Sequence, residues 1–226
     1  VWFTAIYLCG NHRRGINSVQ LSKDLGITQK SAWHLLHRIR EMLNDAEPAM
    51  LTGMVEADET GIGGSIKNKP ARVREKLGRN DNKTAVFGVV ERDGSVVARS
   101  VIDRSRATIQ PIMRKHVAIG SVVITDEHTG YAGLNKEYGH ATVNHGRGEY
   151  VRGGVHTQTI GGFWSELKRT IHGTYVQVSP KHLNAYVSEA AYRYNTRKFS
   201  GQDRHVDTVK RAEGKRLKYA DLIAAK

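Results

Sequence analysis

Apolar residues recur at helical spacing through residues 1–47, at the density of β-strands from about residue 53 to residue 125, and at helical spacing again after residue 157. In the first stretch, Phe3, Ile6, Tyr7 and Leu8 make a first apolar face. Ser18 is placed to cap a short helix carrying Val19, Leu21 and Leu25. Gly26 supplies a turn, and Thr28 caps a second helix with Ala32, Leu35, Leu36 and Ile39 at helical spacing. Helix, glycine-containing turn and helix form the helix-turn-helix pattern, in which the second helix presents Gln29, Lys30, Ser31, His34 and Arg38 to DNA. The competing expectation is a small helical bundle with a polar outer face.

Pro48 and Gly53 mark a linker, after which the pattern changes. Met54-Val55-Glu56-Ala57 leads into Asp58-Glu59, and the runs 84–90 and 95–102 flank Glu91-Arg92-Asp93-Gly94. Asp-Gly between β-rich runs signals a hairpin, so three successive strands are expected. Residues 105–117 suit a helix despite Pro111, Ser121-Val122-Val123-Ile124-Thr125 a buried strand, and Ala141–Asn144 another short one. Thr157 to His172 puts Ile160, Phe163, Trp164, Leu167 and Ile171 on one stripe of a helix. Ser179-Pro180 then starts a helix whose inner face is Leu183, Tyr186, Val187, Ala190, Ala191 and Tyr194. This order of elements suits an α/β domain of the RNase H-like type over residues 53–200, preceded by the helical module 1–47 and followed by a basic tail, 201–226.

Charge changes the picture. A net charge of +13 and a pI near 9.9 attract the chain to polyanions, either nucleic acid or an acidic membrane surface. No apolar run approaches the roughly 20 residues that span a bilayer, and Val1-Trp2-Phe3-Thr4 has no signal-peptide pattern. The membrane reading therefore loses ground, and a cytoplasmic protein, nucleoid-associated when bound to DNA, is expected, with no membrane partner. The single Cys9 excludes an internal disulfide or a multi-cysteine zinc site within these residues. The absence of Met at Val1 suggests a missing N-terminal portion. The basic segment with Lys67, Lys69, Arg72, Arg74, Lys76, Arg79 and Lys83 reads as a solvated loop or a phosphate-contacting one.

The candidate chemistry lies where strands end in acids. Two strands that deliver Asp58 and Asp126 to neighbouring positions make a pair of hard carboxylate ligands for Mg²⁺ or Mn²⁺. Two such ions about 3.5–4 Å apart serve in-line attack on a phosphodiester. The bland alternative is that both are ordinary turn residues.

Val55-Glu56-Ala57-Asp58-Glu59-Thr60-Gly61-Ile62-Gly63-Gly64 resembles the first motif, V-E-x-D-E-T-Y-I-G-G, of a subgroup of bacterial insertion-sequence transposases of the DDE superfamily. Thr125-Asp126-Glu127-His128-Thr129-Gly130-Tyr131 resembles its second motif. Residues 148–153, His156-Thr157-Gln158-Thr159-Ile160, Phe163-Trp164-Ser165, Leu167-Lys168-Arg169 and Tyr192-Arg193-Tyr194-Asn195-Thr196-Arg197 resemble its later region. Thr28-Gln29-Lys30-Ser31-Ala32-Trp33 looks like its N-terminal module, which a cysteine-rich zinc-binding segment often precedes.

The resemblance implies an RNase H-like, retroviral-integrase-like domain and a metal-dependent enzyme. Such an enzyme binds double-stranded DNA at its element's ends, cuts it and joins the 3′ hydroxyl to target DNA, as a homo-oligomer with two Mg²⁺ or Mn²⁺ ions. It makes Asp58, Asp126 and a third acid the catalytic ligands, with Lys168 as a positioned charge and Lys168 and Arg169 at DNA phosphates. Two departures stand out. Gly61 replaces the family's Tyr, and Gly161 stands where the family has its Glu. Glu166 is the nearest acid and the first candidate for a stand-in catalytic metal ligand, though it lies roughly 140° around the helix from position 161. Glu127 and Glu149 are the others. A catalytically inactive DNA-binding relative and a structure-specific nuclease are the competing functions. His128, His145 and His156 show no diagnostic metal spacing, and Trp164 and Tyr194 read as core.

Overall fold

The strands form one five-stranded sheet in the order β3-β2-β1-β4-β5, where β1 is Met54–Ile62, β2 Thr84–Glu91, β3 Val96–Val101, β4 Val122–Thr125 and β5 Gly139–Thr142. The computed structural model describes residues 1–44, 48–64, 66–76, 82–143 and 155–224. β1, β2 and β3 are antiparallel neighbours, and β4 and β5 run parallel to β1. Asp93, at a positive φ of 59°, and Gly94 turn the β2–β3 hairpin. Helix Arg106–His116 (α5 in chain order) makes the crossover from β3 to β4. This mixed sheet is that of an RNase H-like α/β domain, as the element order predicts. β5 begins two residues earlier than expected, and Asn144 lies outside the described residues.

Contacts divide the chain into two compact units, Glu47–Ser165 and Val1–Ala46 with Glu166–Lys226. This partition differs from the divisions 1–47, 53–200 and 201–226 expected from the sequence. In the sheet unit, Val55, Ala57, Val89 and Val123 join Ile109 and Met113 of α5 and Tyr131 in one apolar cluster. Alternation along β1 turns Glu56 and Asp58 to the opposite face. That face meets helix α6, Gln158–Thr170. The basic segment after β1 contains one short helical turn, α4, Ala71–Arg74, with residues 77–81 outside the described set.

The helical unit contains α1 (Trp2–Asn11), α2 (Ser18–Leu25), α3 (Gln29–Leu43), α7 (Pro180–Asn195), α8 (Gly201–Lys210) and α9 (Tyr219–Ile223). Asn17 rather than Ser18 caps α2, accepting from Gln20 N at 2.8 Å. Gly26 ends it at φ 64°, a left-handed backbone that glycine adopts without strain. Thr28 caps α3 by accepting from Ser31 N at 3.1 Å.

The inner face of α1 is Ala5, Ile6, Cys9 and Gly10, while Phe3 stays 66% exposed. Small residues let α8 approach there, and a Cβ at Gly10 would lie 3.7 Å from Arg204 Cδ. The segment expected as a basic tail is largely helical: α8 packs on α1, and α9 follows. Among the described residues, no helix is long and apolar enough to cross a membrane.

Candidate active site

β1 and β4 are paired in parallel from Met54↔Val122 to Glu56↔Ile124. Two residues beyond the last pair stand Asp58, still within β1, and Asp126, just past the end of β4, so the parallel register leads both acids to the same end of the paired strands. The sequence places both at strand ends. Only Asp126 is at one, because β1 runs on to Ile62 by pairing with β2 as far as Ile62↔Thr84. Beyond β4 the chain turns away at Asp126, whose Oδ1 accepts from His128 N at 3.0 Å. The ring of His128 is taken up in the same turn, its Nδ1 accepting from Gly130 N at 3.1 Å.

Helix α6 is fastened over this face by a carboxylate that motif reading treats only as a signature letter. Glu56, 0% exposed, accepts from Thr159 N at 2.8 Å, Ile160 N at 3.1 Å and Thr159 Oγ1 at 2.9 Å. Two of these donors are backbone N–H groups of the first helical turn, which have no partner within the helix, so a buried acid here caps α6 and meets the positive end of its dipole. Arg92 Nε donates to Glu56 Oε1 at 2.8 Å, and His156 Nδ1 lies 3.4 Å from the same oxygen.

One turn along α6, Trp164 Nε1 donates to Asp58 Oδ2 at 3.0 Å. Trp164 is buried as the sequence implies, but it also orients an acid. Gly88, paired with Asp58 across β1 and β2, makes room for the indole: a Cβ there would come within 2.7 Å of Trp164 Cη2. The readable signal was a lone glycine inside a β-branched run, which marks close approach of another group.

Position 161 lies three residues before Trp164, about 60° away around the helix and roughly 4.5 Å along it. A Cβ built at Gly161 meets nothing within 4 Å. Position 161, where the family resemblance leads one to expect the third acid, thus carries no side chain and has open space around it. Glu166 is committed elsewhere, its carboxylate holding Arg169 Nη1 at 2.8 Å on an exposed part of α6. Lys168 is exposed, and lies about 20° around the helix from position 161. Glu149, His145 and the motif at 148–153 lie outside the described residues. Among the described residues, no group of three His, Cys, Asp or Glu side chains is placed to hold a metal ion. Asp58 and Asp126 suit one hard divalent cation by donor type and register, whereas the described residues do not supply the full two-ion set expected from the sequence.

Charge is concentrated on both faces of the sheet here. Glu59 points to the apolar side and accepts from Tyr131 OH at 2.5 Å. Burial holds its carboxyl above the ordinary range, and Asp126 and Asp58 push the same way against the tyrosine's hydrogen bond. Burial and then Glu59 likewise push the Tyr131 phenol well up.

In the helical unit, the five α3 residues expected to face DNA divide into two sets. Gln29, Lys30 and Ser31 are exposed at the start of α3, Gln29 Nε2 donating to Ser18 Oγ at 2.8 Å and Ser31 Oγ lying 2.9 Å from Thr28 Oγ1. His34 and Arg38 are half-buried by the chain's own residues. His34 Nε2 is 3.3 Å from the Leu217 carbonyl oxygen, and Arg38 lies over the Trp2 ring at 4.4 Å. Lys30 Nζ also sits 4.9 Å from the centre of the Tyr219 ring. Arg197 stacks on Tyr194 at 4.3 Å.

Residues 50–195 match the family described as ISXO2-like transposase domain. A protein described as lying in transposable element ISH50 of Halobacterium salinarum is 28% identical over 200 residues, spanning 82% of this chain and 66% of that protein. A transposase-like protein of Haemophilus influenzae is 29% identical over 97 residues, or 42% of this chain and 77% of that one. A chain of the simian T-cell lymphotropic virus intasome, solved with a PP2A regulatory subunit, aligns with a TM-score of 0.36 and 15% identity over 77% of this chain and 63% of that chain. This chain thus spans just under two thirds of the length of its halobacterial relative. With the family's match running from before β1 to the end of α7, the chain belongs to the ISXO2-like transposase domain family.

Proposed function

We propose that this protein is an insertion-sequence transposase. On this reading the helix-turn-helix formed by α2 and α3 engages the DNA ends of its element, and the RNase H-like sheet carries strand cleavage and transfer. The observation that supports this reading is that the parallel pairing of β1 with β4 leads towards Asp58 and Asp126, and Asp58 is held by Trp164 of α6, the helix that carries position 161. Asp58 and Asp126 would hold a divalent cation, Mg²⁺ or Mn²⁺, which when bound supplies positive charge for the reacting phosphate. Trp164 fixes the rotamer of Asp58, and Glu56 fixes the helix that carries Trp164. Lys168 would meet a phosphate of the reacting strand as a point charge.

Among the described residues Gly161 leaves the ligand set one acid short, and Glu166 pairs with Arg169. On this reading the unaltered chain is an impaired enzyme, and Gly161→Glu restores it. The assay is a supercoiled plasmid carrying the element's ends, incubated with protein and Mg²⁺ and scored for cleavage and joining. Gly161→Glu should raise metal-dependent cleavage well above that of the unaltered chain, and adding Asp58→Ala should abolish the gain. Robust activity in the unaltered chain with no gain from Gly161→Glu would overturn the proposed impairment.

The same glycine favours a second reading, a DNA-binding relative without catalysis. In that case the ends are bound, and neither protein cuts them. Joining after cleavage distinguishes a transposase from a nuclease. Transposition on paired ends also calls for self-association, which sedimentation with and without end DNA tests.

A further inference from the structure

We infer that the DNA-binding face of the helical unit is bipartite: the segment from Arg211 to Tyr219 lies along α3 and adds its own cations to the helix-turn-helix surface. The inference rests on the reading of α2 and α3 as a helix-turn-helix. The segment is tied down at three points. Lys215 Nζ donates to the carbonyl oxygens of Glu41 and Asn44, at 3.2 and 2.7 Å, where α3 ends. Leu217 offers its carbonyl to His34, and the Tyr219 ring sits against both Lys30 and His34, the imidazole centre 5.3 Å away. Beyond it, Leu222 is buried and the Ala224 carbonyl accepts from Lys181 of α7.

The chemistry of these ties shows what the segment does to the face beneath it. A segment that blocks a nucleic-acid site by imitating the ligand would set carboxylates against Lys30, His34 and Arg38. Here the segment sets the Tyr219 ring and the Leu217 carbonyl oxygen against Lys30 and His34, while Arg38 lies over Trp2 of α1. Between Lys210 and Lys218 the chain has five cationic side chains and one acid, Glu213. Arg211 pairs with Asp207, and Lys215 anchors the segment, but Arg216 and Lys218 are exposed. A cavity of about 230 Å³ is lined by Arg38, Lys215 and Arg216 with Glu41 the acid among them. The segment thus replaces the covered part of a cationic face with further cations, which is what a polyphosphate backbone needs for counterion release. In this arrangement the start of α3, at Gln29 and Ser31, remains exposed to enter a groove, while Arg216 and Lys218 track the backbone beside it.

The test is binding of the full chain to duplex DNA carrying the element's end, over a range of salt concentrations. The unaltered chain is compared with Arg216→Ala/Lys218→Ala and with Tyr219→Ala, and circular dichroism monitors helix content. Losing two phosphate contacts should lower the slope of log K against log salt by about 2, equivalent to roughly 30-fold weaker binding at 0.15 M when extrapolated from 1 M. Tyr219→Ala, which releases the anchor and keeps both charges, should also weaken binding at unchanged helix content. Unchanged affinity and slope in the double variant would overturn the inference and leave the helix-turn-helix reading standing. Tighter binding in either variant would overturn it in favour of a blocking strap. Absence of duplex binding by the unaltered chain, even at low salt, would remove the helix-turn-helix reading and this inference with it.

Discussion

Glu56→Ala should detach α6 from the sheet. The carboxylate is fully buried and uses both oxygens, Oε2 for the N–H groups of Thr159 and Ile160, and Oε1 for Thr159 Oγ1 and Arg92 Nε. Alanine leaves two helix-terminal N–H groups and a guanidinium without this partner. Loss of a helix cap costs about 1 kcal/mol, and breaking a buried ion pair about 3–5 kcal/mol. Arg92 is 20% exposed and also donates to the His156 carbonyl at 2.9 Å, which places its share at or below the low end. The expected loss is about 3–4 kcal/mol, a large part of the roughly 5–15 kcal/mol that holds a domain together. Glutamine is not a mild replacement. With its oxygen towards the Thr159 and Ile160 amides, its NH₂ faces Arg92 Nε, itself a donor, so about 2 kcal/mol should go even though shape is kept. Urea unfolding gives the global figure, and hydrogen exchange at the Thr159 and Ile160 amides gives the local one. A loss under about 1 kcal/mol for Glu56→Ala, with those amides still protected, would refute the claim that this carboxylate holds the helix.

Gly88→Ala puts a methyl group 2.7 Å from Trp164 Cη2 and 3.0 Å from Cζ2. The indole must move off Asp58, at a cost of about 1–3 kcal/mol, and a drop in melting temperature with a changed tryptophan emission would show it. Acid should weaken the helical unit. Burial opposes ionisation of Glu189, but Arg193 and Arg40 outweigh it and hold its carboxyl down to about 2, against 4.5 ordinarily. Burial, then Arg40, holds the His37 imidazole down to about 3, against 6.5. In both cases the unfolded chain takes up protons that the fold refuses. Stability is therefore full above about pH 6.5 and falls first through the His37 window and then through that of Glu189. Melts at pH 8, 5 and 3 follow it; His37→Phe should flatten the upper part only, and an unchanged profile would count against it. Cys9, pushed up to about 12 by burial and by Glu189, should resist maleimide until denaturant is added.

Much of the fold could be read from local pattern because its signals are local. β-branched runs mark β1 to β4, Asp93-Gly94 marks the hairpin, and Ser179-Pro180 marks the start of α7. The two aspartates could be found because each follows such a run. What the pattern did not show depends on partners distant in sequence. Glu56 and Thr159 are 103 residues apart, and nothing near either foretells a cap. Glu189 lies on the inner face of α7, where periodicity calls for an apolar residue; Arg40 Nε and Arg193 Nη1 reach it at 2.6 Å each, and Tyr175 OH at 2.7 Å. The cover over α3 was hidden for a related reason. Residues 211–219 have the composition of a solvated tail, and their placement is set by single contacts at Lys215, Leu217 and Tyr219 rather than by any repeat.

Position 161 separates folding from chemistry. The contacts that place α6 are made by Glu56 with Thr159 and Ile160, by Trp164 with Asp58, and by the indole in the space left by Gly88. None involves a side chain at 161, and a Cβ there touches nothing within 4 Å. A glycine can therefore stand at that corner at a helix-propensity cost of about 1 kcal/mol relative to alanine, without disturbing the two aspartates. It follows that stability alone cannot report whether the site is complete, since a protein with an acid at 161 and one without fold through the same contacts. For the same reason Gly161→Glu is a clean perturbation. It adds a carboxylate to the α6 flank that carries Trp164 while leaving Glu56, Trp164 and the β1–β4 register in place, so on the proposed reading any change in cleavage that it brings measures a third ligand.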